Sequence, residues 1–233
     1  MNILTLRHLD SSPAPASGCD AWGAPSAPAI IEDLDTSSPF ASWDNANPLA
    51  AAPRPSPEPL APRLATWSGW LIDSDGQASI QTWTGQGWEA LRSACDQLEP
   101  ELDERGMSVL FRPHAAHVLS DPRSCLTFLQ QRESRAFALL LDPVSLLTPE
   151  MLPDAEDHLD RIAQTLLAHP QVPAVILSDA IVSDTGQIAH APLAEGALPR
   201  RVLDRLIDRV RSSDAAAVLL ADPHAQRARL GSV

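Results

Sequence analysis

The run VLFRPHAAHVLSD, residues 109–121, leaves an apolar stretch directly into Arg112, Pro113 and His114. A guanidinium beside an imidazole is suited to holding an anionic or hydroxylated group and to moving a proton. Aspartates recur in comparable places: Asp142 after FALLL, Asp179 after AVILS and Asp222 after VLLA. A carboxylate so placed can act as a general acid or base. Each residue also has a plainer use, since proline ends a strand and an aspartate after one caps the next loop or helix by local hydrogen bonds.

The elements around these residues decide whether they meet. WEALRSACDQLEPELDERG has apolar residues at helical spacing and stops at Gly106, which reads as a helix with a glycine cap. MSVLF reads as a buried strand, and Asp121-Pro122 opens a helix over DPRSCLTFLQQRES, with the aspartate as N-cap. AFALLLD, PAVILSD and AAAVLLAD read as further strands, separated by helices over DAEDHLDRIAQTLLAH and LPRRVLDRLIDRVRSS. Four apolar strands alternating with helices predict a parallel α/β sheet whose strand ends all open on one side, where sites are built. Arg112, Asp142, Asp179 and Asp222 are therefore expected to be neighbours. An arginine among carboxylates needs partners once water is excluded.

Composition excludes several classes. The chain has 233 residues, a net charge of -13 and a pI near 4.8, which opposes a role in gripping nucleic-acid phosphates. All 17 basic residues are arginine, so neither a Schiff-base lysine nor a phosphate-loop lysine is available, and tyrosine is absent. Cys19, Cys95 and Cys125 have no metal-ligand spacing and suggest a reducing compartment. With no signal segment and no membrane-length apolar run, a soluble cytoplasmic protein is expected, with neither nucleic acid nor membrane as partner.

Residues 1–66 carry 11 of the 22 prolines and read as a mostly irregular Pro/Ala/Ser-rich arm, with NILTLRHL as a strand and IIEDL as a short docking segment. Residues 67–233 form the α/β domain. Trp67, Trp70, Trp83 and Trp88 surround a predicted hairpin (WLID, SDG, QASIQTW), an apolar cap over the core or a partner surface. His117 and His158 read as loop and helix-surface residues.

From Trp88 to Asp222 the order helix, MSVLFRPH, helix, FALLLDP, helix, AVILSD, then GQIAHAPLAEGAL, helix and strand resembles the xylose isomerase-like TIM barrels. That family includes sugar phosphate isomerases and epimerases and the metal-dependent endonuclease IV repair enzymes. APLAEGAL, residues 191–198, resembles the family's PLGEG loop, with Ala194 in place of a glycine. The resemblance implies a divalent metal held at the strand ends, but this chain departs from the ligand set. Arg112 stands where the family presents a carboxylate, Ser145 and Ile176 where it presents histidines, and Ala221, beside Asp222, where it presents a glutamate. No cofactor is expected and a divalent metal is disfavoured, because a guanidinium repels a cation.

The fold class expected is α/β, a partial or truncated TIM-type barrel of parallel strands, because the arm is too short for the missing units of a barrel of about 250 residues. Its open sheet edge must be covered by the NILTLRHL strand and tryptophan hairpin, by a second copy, or by a protein partner. Two functions follow from the resemblance. One is a divergent isomerase/epimerase-like protein that has lost the metal-dependent chemistry and binds a sugar-like metabolite or a protein. The alternative is an active isomerase or epimerase with Asp142, Asp179 and His114 as acid-base residues and Arg112, His190, Glu195 and Asp222 contacting substrate.

Overall fold

The computed structural model describes residues 3–8, 29–33, 40–42, 47–49 and 63–219. Five parallel strands form its centre: β4 (Arg63–Trp67), β5 (Ser108–Arg112), β6 (Phe137–Leu141), β7 (Ala174–Leu177) and β10 (Ala216–Leu219), adjacent in the order β4-β5-β6-β7-β10. Between them run α1 (Gly85–Arg105), α2 (Pro122–Gln131), α3 (Ala155–Leu166) and α4 (Arg200–Arg211). The arrangement is a curled partial TIM-type barrel with an outer helical layer, as the alternation of elements predicts.

Both edges of this sheet are paired by the chain's own N-terminal strands. β1 (Ile3–His8) lies parallel to β10, β2 (Ala29–Asp33) antiparallel to β1, and β3 (Phe40–Ser42) antiparallel to β2 and parallel to β4, which closes the ring. Sequence reading anticipated β1 and the segment of β2, but took the residues of β3 and most of β4 as irregular. RLATW is short and follows a proline-rich run, so composition masked it. β4 also crosses the expected domain boundary at residue 66.

The tryptophan-rich hairpin is reduced to one antiparallel bridge, Ile72 to Ala78, and its second arm continues as the 3-10 turn Ile80–Trp83. Asp73 accounts for this: its carboxylate accepts from the amides of Asp75 and Gln77, closing a tight loop before strand pairing can extend. A second hairpin was not anticipated. β8 (Asp179–Val182) and β9 (Ile188–Ala191) follow β7 directly and pair antiparallel, with Ala180 opposite His190. The signal was the Asp184-Thr185-Gly186 turn between two short alternating runs.

Strand alternation sorts the core into two layers. Ala65, Leu110, Leu140, Ala174, Ile176 and Val218 pack together inside the ring, while Leu64, Val109, Phe111, Leu139, Leu141, Val175, Leu177, Ala217 and Leu219 join the larger core against the helices. Sequence caps hold the helices in register. Asp121 accepts from the amides of Arg123 and Ser124 while the Ser124 hydroxyl accepts from the Asp121 amide, a reciprocal capping box. Among the described residues no helix is long and apolar enough to cross a membrane.

The start of α1 packs against the 3-10 turn so closely that a Cβ at Gly87 would lie 2.0 Å from the Thr82 carbonyl oxygen. The neighbour is backbone and cannot rotate away. Gly87→Ala is therefore expected to destabilise the chain by about 1–3 kcal/mol in urea unfolding, despite alanine's better helix propensity; an unchanged midpoint would contradict this packing.

Candidate functional site

Alternation inside the ring carries through the strand ends. The inward positions Ala65, Leu110, Leu140 and Ile176 are followed two residues later by Trp67, Arg112, Asp142 and Ser178. Four side chains from four adjacent strands are thereby aimed at the same mouth. Trp67 and Arg112 are register partners on β4 and β5, and the guanidinium carbon sits 4.1 Å from the indole centroid. Stacking of this kind contributes about 0.5–2 kcal/mol.

Asp142 is fully buried, and its carboxylate is the focus of the cluster. Its Oδ2 accepts from Arg112 Nε at 2.7 Å and Nη2 at 2.5 Å, and from the Ser145 hydroxyl at 2.6 Å. Its Oδ1 accepts from the Ser145 amide at 3.2 Å, which anchors the turn Val144–Leu146. Burial pushes the Asp142 carboxyl upward in pKa, but His190, Arg112 and the Ser145 hydroxyl more than offset it and hold the group well below the usual carboxylate range.

The β8–β9 hairpin brings His190 into this cluster. Its Nε2 lies 2.9 Å from Arg112 Nη2, 3.1 Å from Ser145 Oγ and 3.2 Å from Asp142 Oδ2, and its Nδ1 lies 2.7 Å from Ser178 Oγ. The side chains of Arg112 and His190 remain 11% and 23% exposed, so the cluster still meets solvent at its outer rim.

His114 and His117 lie beside the pair. The His114 ring is 5.5 Å from Trp67 and 4.7 Å from His117, and His117 stacks on Trp70 at 4.9 Å. His117 lies in a loop, as read from the sequence, but is only 3% exposed, because Val118 donates to the Gly69 carbonyl and draws the loop under the two tryptophans. Burial pushes the His114 pKa down to about 4, with Asp142 opposing and Arg112 and His190 assisting, and pushes His117 well below its ordinary value with help from His114 and Arg112.

Asp179 does not join Arg112. It stands one residue past the inward position, on the parity that faces the helices, and its carboxylate accepts from the amides of Ala180, Gly196 and Leu198 at 2.7, 2.9 and 3.0 Å. It fastens the 192–198 loop, and Gly196 fits because a Cβ there would lie 2.5 Å from that carboxylate. Glu195 is exposed on this loop, and Ala194 adopts a φ of 63° where the resembling loop carries glycine. Asp222 lies outside the described residues. Ser145, noted in the sequence only at a family histidine position, and Trp67, noted only as part of a cap, join the site together with Ser178, which counting by twos from Ile176 selects over Asp179.

The donors at this mouth do not fit a divalent cation. Asp142 Oδ2 is already held by Arg112 and Ser145 and faced by His190, and the guanidinium places positive charge where an ion would sit. Among the described residues, no three His, Cys, Asp or Glu side chains are disposed to hold a metal ion.

Two outcomes follow. Arg112→Ala strands the buried Asp142 charge and should cost about 3–5 kcal/mol, whereas the double change Arg112→Met with Asp142→Leu should recover most of that loss; equal losses in denaturant unfolding would contradict the pairing. The unfolded chain binds histidine protons near 6.5, whereas His114 resists protonation until about 4 and His117 until well below 6.5, so stability rises with pH across that interval. Lowering the pH from 6.5 to 5 should cost about 1.5 kcal/mol through His114, with His117 adding in the same direction, read as a falling melting temperature that His117→Phe makes less steep.

No protein-family model matches the sequence, and no curated protein does. Solved structures do match. Endonuclease IV from Thermus thermophilus is 16% identical with a TM-score of 0.51, over 74% of this chain and 63% of that one. The probable 3-DHS dehydratase AsbF of petrobactin synthesis from Bacillus anthracis is 15% identical with a TM-score of 0.50, over 73% and 62%. A D-tagatose 3-epimerase-like protein is 13% identical with a TM-score of 0.50, over 74% and 61%. This chain thus spans a little under two thirds of each relative's length. At these identities the likeness is one of fold, and that fold is the xylose isomerase-like TIM barrel type implied by the sequence motifs.

Proposed function

We propose that the chain is a divergent protein of the sugar isomerase/epimerase fold that uses its barrel mouth to bind a small sugar-like metabolite, without the metal-dependent chemistry that the sequence resemblance implies. The observation that carries this reading is the guanidinium of Arg112, ion-paired to fully buried Asp142 and stacked on Trp67 at the strand ends. A cation there would have to displace that guanidinium and leave its charge without a partner.

Acid-base turnover through the two aspartates finds less support. Asp142 is held ionised by its neighbours, which makes it a weak base, and the Asp179 carboxylate is occupied by three backbone amides. What the mouth offers a ligand is its rim, the partly exposed Arg112 guanidinium and the imidazoles of His190 and His114, backed by the buried Ser145 and Ser178 hydroxyls. Such a set of donors and acceptors matches a hydroxylated molecule.

The test is a panel of ketoses, aldoses and their phosphates, assayed for binding by titration calorimetry and for isomerisation with and without Mn, Mg or Zn. Saturable binding without turnover is the expected result. Isomerisation that depends on an added divalent metal would overturn the reading.

A further inference from the structure

The contacts around His190 Nε2 cannot all be favourable at once. Arg112 Nη2, at 2.9 Å, is a donor and requires a lone pair on Nε2. Asp142 Oδ2, at 3.2 Å, is an acceptor and requires a proton on the same atom. With the lone pair present, Arg112 is satisfied and the carboxylate faces a lone pair. With the proton present, Asp142 is satisfied and two N–H groups oppose each other. Ser178 Oγ, 2.7 Å from Nδ1, accommodates either state because a hydroxyl can donate or accept.

We propose that protonation of His190 transfers Asp142 from Arg112 to the imidazolium and releases the Arg112 guanidinium for an anionic ligand, making the barrel mouth a proton-coupled site for a carboxylate or a tetrahedral oxyanion. This inference rests on the binding reading above and specifies the ligand class and its regulation. The charge balance supports it: with neutral His190, Arg112 and Asp142 cancel and the mouth offers an anion no net attraction, whereas one added proton leaves a single positive charge. Trp67 stacks on the guanidinium at 4.1 Å and keeps it at the rim when its carboxylate partner changes. The charged and titratable groups facing His190 are Arg112 from β5, His114 from the loop after it and Asp142 from β6. Its remaining polar neighbours, Ser178 after β7 and Ser145 in the turn after β6, are uncharged, and Asp179 is turned away into the 196–198 amides. Burial keeps His114 neutral near pH 6, so it adds no charge of its own to the mouth there.

Calorimetric titration of the full chain with sodium acetate and with sodium sulfate, at pH 6 and pH 8 in two buffers of different ionisation enthalpy, tests the coupling. Both anions stay ionised over that range, so any proton taken up belongs to the protein. Tighter binding at pH 6 is expected, by up to about tenfold per pH unit, with uptake of about one proton per anion. Preference for acetate or for sulfate distinguishes a carboxylate from a phosphate-like ligand. His190→Gln should abolish the uptake, and in the unmutated chain the imidazole nitrogen resonances of His190 should move to the doubly protonated position as sulfate is added. Equal affinity at both pH values, uptake that persists in His190→Gln, or resonances that do not move would overturn the proposal. A neutral ketose that binds where neither anion does would remove this inference and leave the binding reading standing, whereas failure of every ligand would remove both.

Discussion

Asp142 has no surface in contact with water, and the mouth of the barrel is organised around compensating its charge. A carboxylate so placed would cost several kcal/mol if unpaired. Two guanidinium nitrogens, a hydroxyl and a backbone amide converge on it, and each arrives from a different constraint. Arg112 comes from the neighbouring strand at the same depth, held flat by Trp67 on the strand beyond. Ser145 comes from the turn that Asp142 itself caps. The pair therefore ties β4, β5 and β6 together at the end where a barrel of this kind has no helix to support it.

The ring that carries this cluster is closed economically. Five strands with their helices supply the parallel half, and three short N-terminal strands, one of them running against its neighbours, join β10 to β4. An antiparallel return needs no crossover helix, which is how an N-terminal segment of about 60 residues can span edges that would otherwise take three complete strand-helix units. The likeness to endonuclease IV and to a D-tagatose 3-epimerase-like protein covers about three quarters of this chain but less than two thirds of theirs, in keeping with such a shortened ring.

The hairpin after β7 gives the mouth its character. It places His190 between a cation and an anion that ask opposite things of one nitrogen, and it backs the ring with a hydroxyl that accepts either answer. The neighbouring His114 and His117 are kept neutral by burial under Trp67 and Trp70, so the charge state of the mouth rests on fewer groups than its histidine content suggests.

The sequence by itself determined the alternation of strands β5, β6, β7 and β10 with helices, their parallel sense and the caps at Asp121 and Gly106, because apolar periodicity and cap chemistry are local. It also marked Arg112 and Asp142, since charged residues at the ends of apolar runs stand out along the chain. Tertiary structure decided which marked residues meet. Arg112 and Asp142 share the inward parity of their strands, whereas Asp179 falls on the other face and became a loop fastener; a difference of one residue reverses the direction of a strand side chain. His190, expected among the substrate contacts, reaches the cluster on a hairpin that the sequence did not lead one to expect, and β4 lay behind a proline-rich run whose composition concealed it. β4 owes its form to pairing with β3 and β5, both distant in sequence, and such pairing leaves little trace in the residues on either side of it.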